Sequence, residues 1–297
     1  MVVKRASSVK QRFHEEAAAG LQRQGRETGP LSLEMGALYA ALGNQAFRLG
    51  FRTQAIKLHA AGLDVLSLLL PPDSESIAHC LLSLGNDYSA IGQCSQALHY
   101  HSRALTLYSA RFPPSDPAVA NLLNSLAADY AALGKWPLAV HFQRRSVAVF
   151  QACGDSRLPE TLNNLGNIYF QTGRYALADY YLRKARAGLQ TQRQSGAAMG
   201  NVLSNLGNVH FVQGSFRKAL KLHKQGLHLR LQHLPSSHPD IANSLNSLGN
   251  DYLALGKTQI AVKRLAKAVK MLRAQGDRQT SVVVETNLAI ALAAAEI

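Results

Sequence analysis

The chain has 297 residues, 47% of them hydrophobic but only 7% aromatic, with three cysteines and a formal charge of +14 at neutral pH. That hydrophobic content is ample for the core of one large domain or two ordinary ones, and scarce aromatics beside abundant Ala and Leu favour helices packed through small residues over a β-sandwich. Cys80, Cys94 and Cys153 are odd in number and show no CxxC spacing, and no run of 18 apolar residues occurs, so disulfide frameworks, zinc sites and membrane spans are argued against and a cytoplasmic home is expected.

Residues 1–30 form a basic N-terminal segment. Met1 to Phe13 carries Lys and Arg without an acid, as an organelle presequence would, but His14-Glu15-Glu16 breaks that pattern. QRFHEEAAAGLQRQ from Gln11 has helix-forming composition, so the segment reads either as a capping helix or as a disordered arm.

From residue 31 to 297 the chain repeats itself. NSLNSLGNDYLALGK from Asn243 has earlier versions in YAALGNQAFRLG from Tyr39, CLLSLGNDYSAIG from Cys80, NLLNSLAADYAALG from Asn121, TLNNLGNIYFQTG from Thr161 and VLSNLGNVHFVQG from Val202. Aligned on Gly43, Gly85, Ala127, Gly166, Gly207, Gly249 and a partial copy at Ala289, the steps are 42, 42, 39, 41, 42 and 40 residues. Seven residues later stands Gly50, Gly92, Gly134, Gly173, Gly214 or Gly256, and five beyond that Ala55, Ala97, Ala139, Ala178, Ala219 or Ala261. A further seven bring Gly62, Ala104, Ser146, Ala185, Gly226 or Ala268. A catalytic motif is rarely copied six times in one chain, so the pattern speaks for architecture.

Each copy reads as two antiparallel helices. The first has apolar residues at helical spacing, such as Leu245, Leu248, Tyr252 and Leu255, and closes on a glycine suited to the left-handed conformation. The second needs small residues where its backbone approaches the first. Pro-Pro-Asp, Ser-Asp-Pro and Ser-His-Pro-Asp between copies predict polar caps ahead of a proline in the first turn. The predicted hairpins lie near 34–70, 76–112, 118–153, 158–192, 198–234 and 240–275, with a partial unit at 280–297. A lone hairpin cannot bury its apolar stripe, so the copies must stack. SVVVETNLAIALAAAEI from Ser281 is expected either to cap that stack, one apolar face docked on the sixth unit, or to open a further unit of a longer chain.

This pattern resembles the tetratricopeptide repeat in its long, roughly 42-residue variety. SHPDIANSLNSLGNDYLALGK (Ser237 to Lys257) and SDPAVANLLNSLAADYAALGK (Ser115 to Lys135) resemble kinesin light chain units, and GDSRLPETLNNLGNIYFQTGRYALADYYLRKA (Gly154 to Ala185) resembles the Leu-Gly-Asn repeats of Pins-type polarity scaffolds. The resemblance implies an all-α, right-handed α-solenoid of about six hairpins plus one terminal helix. It also implies that the first helices line a concave surface that binds a peptide of a protein partner.

On that surface, the positions six and three before and one after the alignment glycine share one helix face. They hold Asn44, Asn86, Asn121, Asn124, Asn163, Asn167, Asn201, Asn208, Asn243, Asn246 and Asn250. An Asn amide both donates and accepts, so such a ladder can pair with the backbone of an extended peptide; the alternative is that the amides bond neighbouring helices to one another. Phe170, Phe211 and Leu253 lie near the same face as candidate pockets or core residues. Only Arg48 adds a cation there, which argues against clamping of a chaperone's terminal carboxylate.

The positive charge lies elsewhere. Between Arg183 and Arg273 there are 15 Lys/Arg against two acids, Asp240 and Asp251. Arg217, Lys221, Lys224 and His228 form one stripe on a second helix, and Lys263, Lys267 and Lys270 another, a basic ridge that either is merely solvated or makes the chain a surface adaptor docking on an acidic assembly, anionic lipid or nucleic acid. No aromatics are interleaved for base stacking, so nucleic acid is not the expected partner. GxSxG, P-loop and GxGxxG signatures are absent, and neither His99/His101 nor His223/His228 has metal-ligand spacing. A non-enzymatic adaptor is therefore expected, with no catalytic residues, no metal and no cofactor.

Overall fold

The structure, a computed structural model, describes residues 2–29, 31–193 and 196–295. Expectations touching Met1, Pro30, Glu296 and Ile297 lie outside the described residues. The chain divides into two compact units, Met1–Cys153 and Gly154–Ile297. Among the described residues the regular elements of both units are helices, and each unit is an all-α solenoid.

The first unit contains α1 (Val2–Thr28), α2 (Leu33–Arg48), α3 (Arg52–Leu69), α4 (Glu75–Ala90), α5 (Cys94–Arg111), α6 (Pro117–Ala132) and α7 (Trp136–Ala152). The second contains α8 (Leu158–Gln171), α9 (Tyr175–Thr191), α10 (Ala197–Val212), α11 (Phe216–His233), α12 (Pro239–Ala254), α13 (Thr258–Gln275) and α14 (Arg278–Ala293). Within each unit every even-numbered helix from α2 to α12 pairs with the helix that follows it, and each second helix also packs on the next hairpin's first helix. First helices of successive hairpins touch directly: α2 with α4 and α4 with α6, then α8 with α10, α10 with α12 and α12 with α14.

The hairpin turns follow from their glycines. Gly256 has φ 72°, and the amide of Lys257 donates to Tyr252 O at 2.8 Å, the six-to-one bond of a left-handed helix end. The same closure recurs at the other five hairpin glycines. Ala55, Ala97, Ala139, Ala178, Ala219 and Ala261 are fully buried, where the second helix lies closest to the first.

Side-chain caps start α2, α4, α6, α12 and α14, whereas α8 follows Arg157 and α10 follows Gly196 without one. Asp116 accepts from the amide of Ala118 at 2.7 Å ahead of Pro117, and His238 accepts from that of Asp240 at 3.2 Å ahead of Pro239. The third predicted cap differs: Pro71-Pro72-Asp73 precedes the helix, and Ser74 is the cap, accepting from Ile77 at 3.3 Å.

Helix α1 packs on the first hairpin. Phe13 and Ala17 are buried in a cluster with Ala46, Ala55 and Leu58, and the Phe13 ring lies 5.7 Å from that of Phe51. At the other end α14 packs on α13 through Ser281, Val284 and Ala291, while Val282, Val283, Ile290 and Leu292 remain exposed.

Candidate functional site

The first-helix face carries the asparagine ladder, and the structure splits it into two groups. Six members spend their Oδ1 inside the protein. Asn163 accepts from Asn205 at 2.9 Å across α8 and α10, and Asn246 accepts from Asn287 at 2.9 Å across α12 and α14. Asn124 accepts from Gln143 at 2.9 Å, and Asn201 from Arg230 at 2.8 Å. The Oδ1 atoms of Asn86 and Asn208 lie 3.2 and 3.1 Å from Nε2 of His101 and His223.

Asn44, Asn121, Asn167, Asn243 and Asn250 form the second group, making no side-chain hydrogen bond among the described residues. Asn44, Asn167 and Asn243 are exposed, Asn121 and Asn250 half-buried. Their amide donors and acceptors are thus left unused by the described residues. Phe170 and Phe211 are half-buried against the start of their own second helix, with rings 5.7 and 5.3 Å from Tyr175 and Phe216; Leu253 packs on the core cluster of the second unit. These three side chains brace hairpins.

Beneath the ladder lies a feature that the comparison of histidines within one helix missed. His59, His101 and His223 each stand sixteen residues after an alignment glycine, and each donates from Nδ1 to an aspartate of the next hairpin's first helix at 2.6 Å: Asp87, Asp129 and Asp251. All six side chains are at least 98% buried. In every case the separation is 28 residues. The rings lie under Gly43, Gly85 and Gly207, where any Cβ would collide with them. The other hairpins carry Gln143, Leu182 and Leu265 at the histidine position, and the hairpins after them carry Ile168, Val209 and Ala291 at the aspartate position. Histidine and aspartate thus occur together or not at all. A signal was present, at the span of one repeat.

Arg230 is a second buried charge. It is 7% exposed and donates to Ser204 Oγ (2.9 Å), Ser244 Oγ and Asn201, neutral groups throughout, and burial holds its guanidinium pKa below the ordinary value. Cys80 is buried and its thiol is pushed up to about 11, which removes it as a nucleophile. Among the described residues no group of three or more His, Cys, Asp or Glu side chains could hold a metal ion.

A profile of the tetratricopeptide repeat matches residues 34–110, 118–191 and 198–274, three spans that each cover two of these hairpins. The chain belongs to the tetratricopeptide repeat family. No curated protein matches it in sequence. Among solved structures, this repeat protein is similar to BtubC (BKLC) from P. vanneervenii, at 19% identity over 82% of this chain and 92% of that one, with a TM-score of 0.58. It is similar to the apo form of RapI at 14% identity, over 88% and 97% of the two chains, with a TM-score of 0.65. TPR-like repeats of a Podospora anserina kinesin light chain align at 18% identity over 81% of this chain and 96% of that one, with a TM-score of 0.42. At these identities the likeness is one of fold.

On the second helices of this tetratricopeptide repeat protein, Arg217, Lys221 and Lys224 of α11 and Lys263, Lys267 and Lys270 of α13 are all exposed. Lys224 also sits 5.5 Å from the Tyr252 ring. No described helix of the protein is long and apolar enough to cross a membrane.

Proposed function

We propose that this chain is a non-enzymatic, cytoplasmic adaptor whose first-helix face binds an extended peptide segment of a protein partner. The observation that carries the reading is the group of five ladder asparagines whose amides find no partner within the described chain. Asparagine is a mediocre helix former, and these five add no internal bond that would offset its cost. First helices roughly 10 Å apart would meet an extended chain about every third residue, at about 3.3 Å per residue. Main-chain hydrogen bonds then supply affinity, and flanking side chains supply selectivity. The six internally bonded asparagines hold helices together and leave the binding role to the others.

A second reading rests on the basic ridge. Its six cations make no ion pair among the described residues, which favours an acidic protein partner docking on α11 and α13. Salt separates the readings, because attraction between exposed charges is screened at high ionic strength while groove hydrogen bonds change less. The test is a pull-down with mass spectrometry at two salt concentrations. It compares the natural chain with Asn167→Ala/Asn243→Ala/Asn250→Ala and with Lys221→Ala/Lys263→Ala/Lys267→Ala, each verified as folded by circular dichroism. A discrete partner that survives high salt and is lost only with the asparagines supports the groove. Loss with salt and with the lysines transfers the site to the ridge.

A further inference from the structure

Twenty residues after the alignment position, five hairpins carry an aliphatic side chain: Leu63, Leu105, Val147, Leu227 and Val269. Val147 and Val269 are buried, and the three leucines pack against the core clusters. Helix α9 carries Arg186 there instead. Arg186 is half-buried, and an arginine in such a place can lay its methylene stem along apolar surface while its guanidinium stays at the wet rim. Beside it a cavity of about 610 Å³ opens between α9, α10 and α11, wholly inside the second compact unit.

The walls of this cavity are chemically divided. Met199 and Leu203, 8% and 5% exposed, form an apolar floor with Leu229. Arg186, Arg193 and Lys224 supply positive charge around it. Among the described residues no acid lines the cavity and none of these three cations is in an ion pair. The one carboxylate of α9, Asp179, is already held by Arg183 at 2.6 Å.

We propose that the cavity binds a small amphiphilic anion, with a carboxylate held by Arg186 and Lys224 and an apolar body of about ten carbons on Met199, Leu203 and Leu229. The volume is within the range of ligand sites, roughly 300–1,000 Å³. It would hold about twenty waters at about 30 Å³ each, so a ten-carbon chain fits with its head still hydrated. Arginine suits a planar carboxylate because its paired N–H groups match the two oxygens. The apolar floor demands a body that a bare inorganic anion lacks. The site is on the second-helix side, so it stands or falls separately from the asparagine face.

Isothermal titration calorimetry of the full chain with decanoate, below its micelle concentration, tests the assignment. One saturable site is expected, with decanol (same body, no charge) and acetate (same head, no body) each at least tenfold weaker. Arg186→Leu installs the residue found at this position in three other hairpins; it should leave the far-ultraviolet circular dichroism intact and weaken decanoate at least tenfold. Lys224→Glu, at an exposed position, should do the same and decides the matter if Arg186→Leu does not fold. Arg103→Ala, at an exposed position of the first compact unit, should bind as the natural chain does. In methyl NMR of labelled methionine, the Met199 signal should shift with decanoate at the calorimetric affinity. The proposal is overturned by absence of saturable binding, by decanol binding as tightly as decanoate, by undiminished binding in both variants, or by association with anionic lipid vesicles without binding of free decanoate.

Discussion

The buried pair of His101 and Asp129 offers the sharpest test of how these hairpins are joined. Asp129→Ala removes the carboxylate that meets His101 Nδ1 at 2.6 Å and leaves a ring 1% exposed without its main partner. Removing one member of a buried pair costs about 3–5 kcal/mol, because the remaining group stays desolvated and unpaired. The chain also contains the apolar solution to the same junction: Leu182 and Val209 occupy the equivalent positions of α9 and α10, both fully buried, with Leu182 beneath Gly166 as His101 lies beneath Gly85. His101→Leu/Asp129→Val should therefore remain within about 1 kcal/mol of the natural chain, since well-packed apolar groups often replace a buried ion pair at no loss. Hydrogen exchange of the α5 and α6 amides reads the local opening free energy. At about 1.4 kcal/mol per tenfold change, the single variant should exchange roughly a hundredfold to several thousandfold faster, and the double variant within about fivefold of the natural rate. A single variant that exchanges at the natural rate, or a double variant as fast as the single, would refute the claim that pairing sets the junction's strength.

Three further outcomes follow from other sites. Gly256→Ala places a Cβ on a backbone at φ 72°, so it should lower stability by about 1 kcal/mol in thermal unfolding without altering α12 or α13; an unchanged melting temperature would contradict the strain argument. Arg230→Leu restores the residue present at this position as Leu66, Leu189 and Leu272, and should hold or raise stability, whereas Arg230→Ala should lose about 2–4 kcal/mol through lost packing. A loss above about 2 kcal/mol for the leucine variant would show that the guanidinium's bonds to Asn201, Ser204 and Ser244 outweigh its desolvation. The Asp155 carboxyl, held by the Arg157 side chain, is lowered to about 2, and its NMR titration should centre there. The folded value lies below the unfolded one, so its contribution to stability is complete above the ordinary carboxylate range and fades as pH falls towards 2; Asp155→Asn should flatten that acid limb.

Most of the architecture was legible because each structural demand calls for a distinct residue type. A left-handed turn calls for glycine at Gly50 or Gly256, and close approach of two backbones calls for alanine at Ala55 or Ala261. Helix α1 was less legible: composition alone permits a helix or a free arm, and what distinguishes α1 is the burial of Phe13 and Ala17 against residues of α2 and α3 such as Ala46, Ala55 and Leu58. The ladder's location was readable, but not its division. Whether an amide is consumed depends on its neighbours. Asn163 is consumed because Asn205 stands two residues before the next alignment glycine, and Asn201 because α11 carries Arg230 where other second helices carry Leu, Tyr or Phe. Asn167 and Asn250 have no such neighbour. Polar caps were placed correctly where proline followed directly, and misplaced where Pro71 and Pro72 came before the capping Ser74.

The distribution of His–Asp pairs also bears on how near-identical hairpins find their proper order. Hairpins that share the same glycines and alanines could stack on one another in several arrangements of similar energy. A second helix bearing histidine, set against a first helix bearing valine or isoleucine, would bury a ring nitrogen with no acceptor. The reverse mismatch would bury a lone carboxylate against leucine. Either error costs several kcal/mol, a large share of the stability of a folded domain. His59, His101 and His223 therefore accept only α4, α6 and α12 among the described first helices that follow a second helix, while Leu182 and Leu265 are matched to the apolar positions of α10 and α14. The pair type distinguishes polar from apolar junctions but not one polar junction from another. Covalent order in the chain must supply that remaining discrimination, because the short turns between hairpins leave each second helix little choice but the hairpin that follows it.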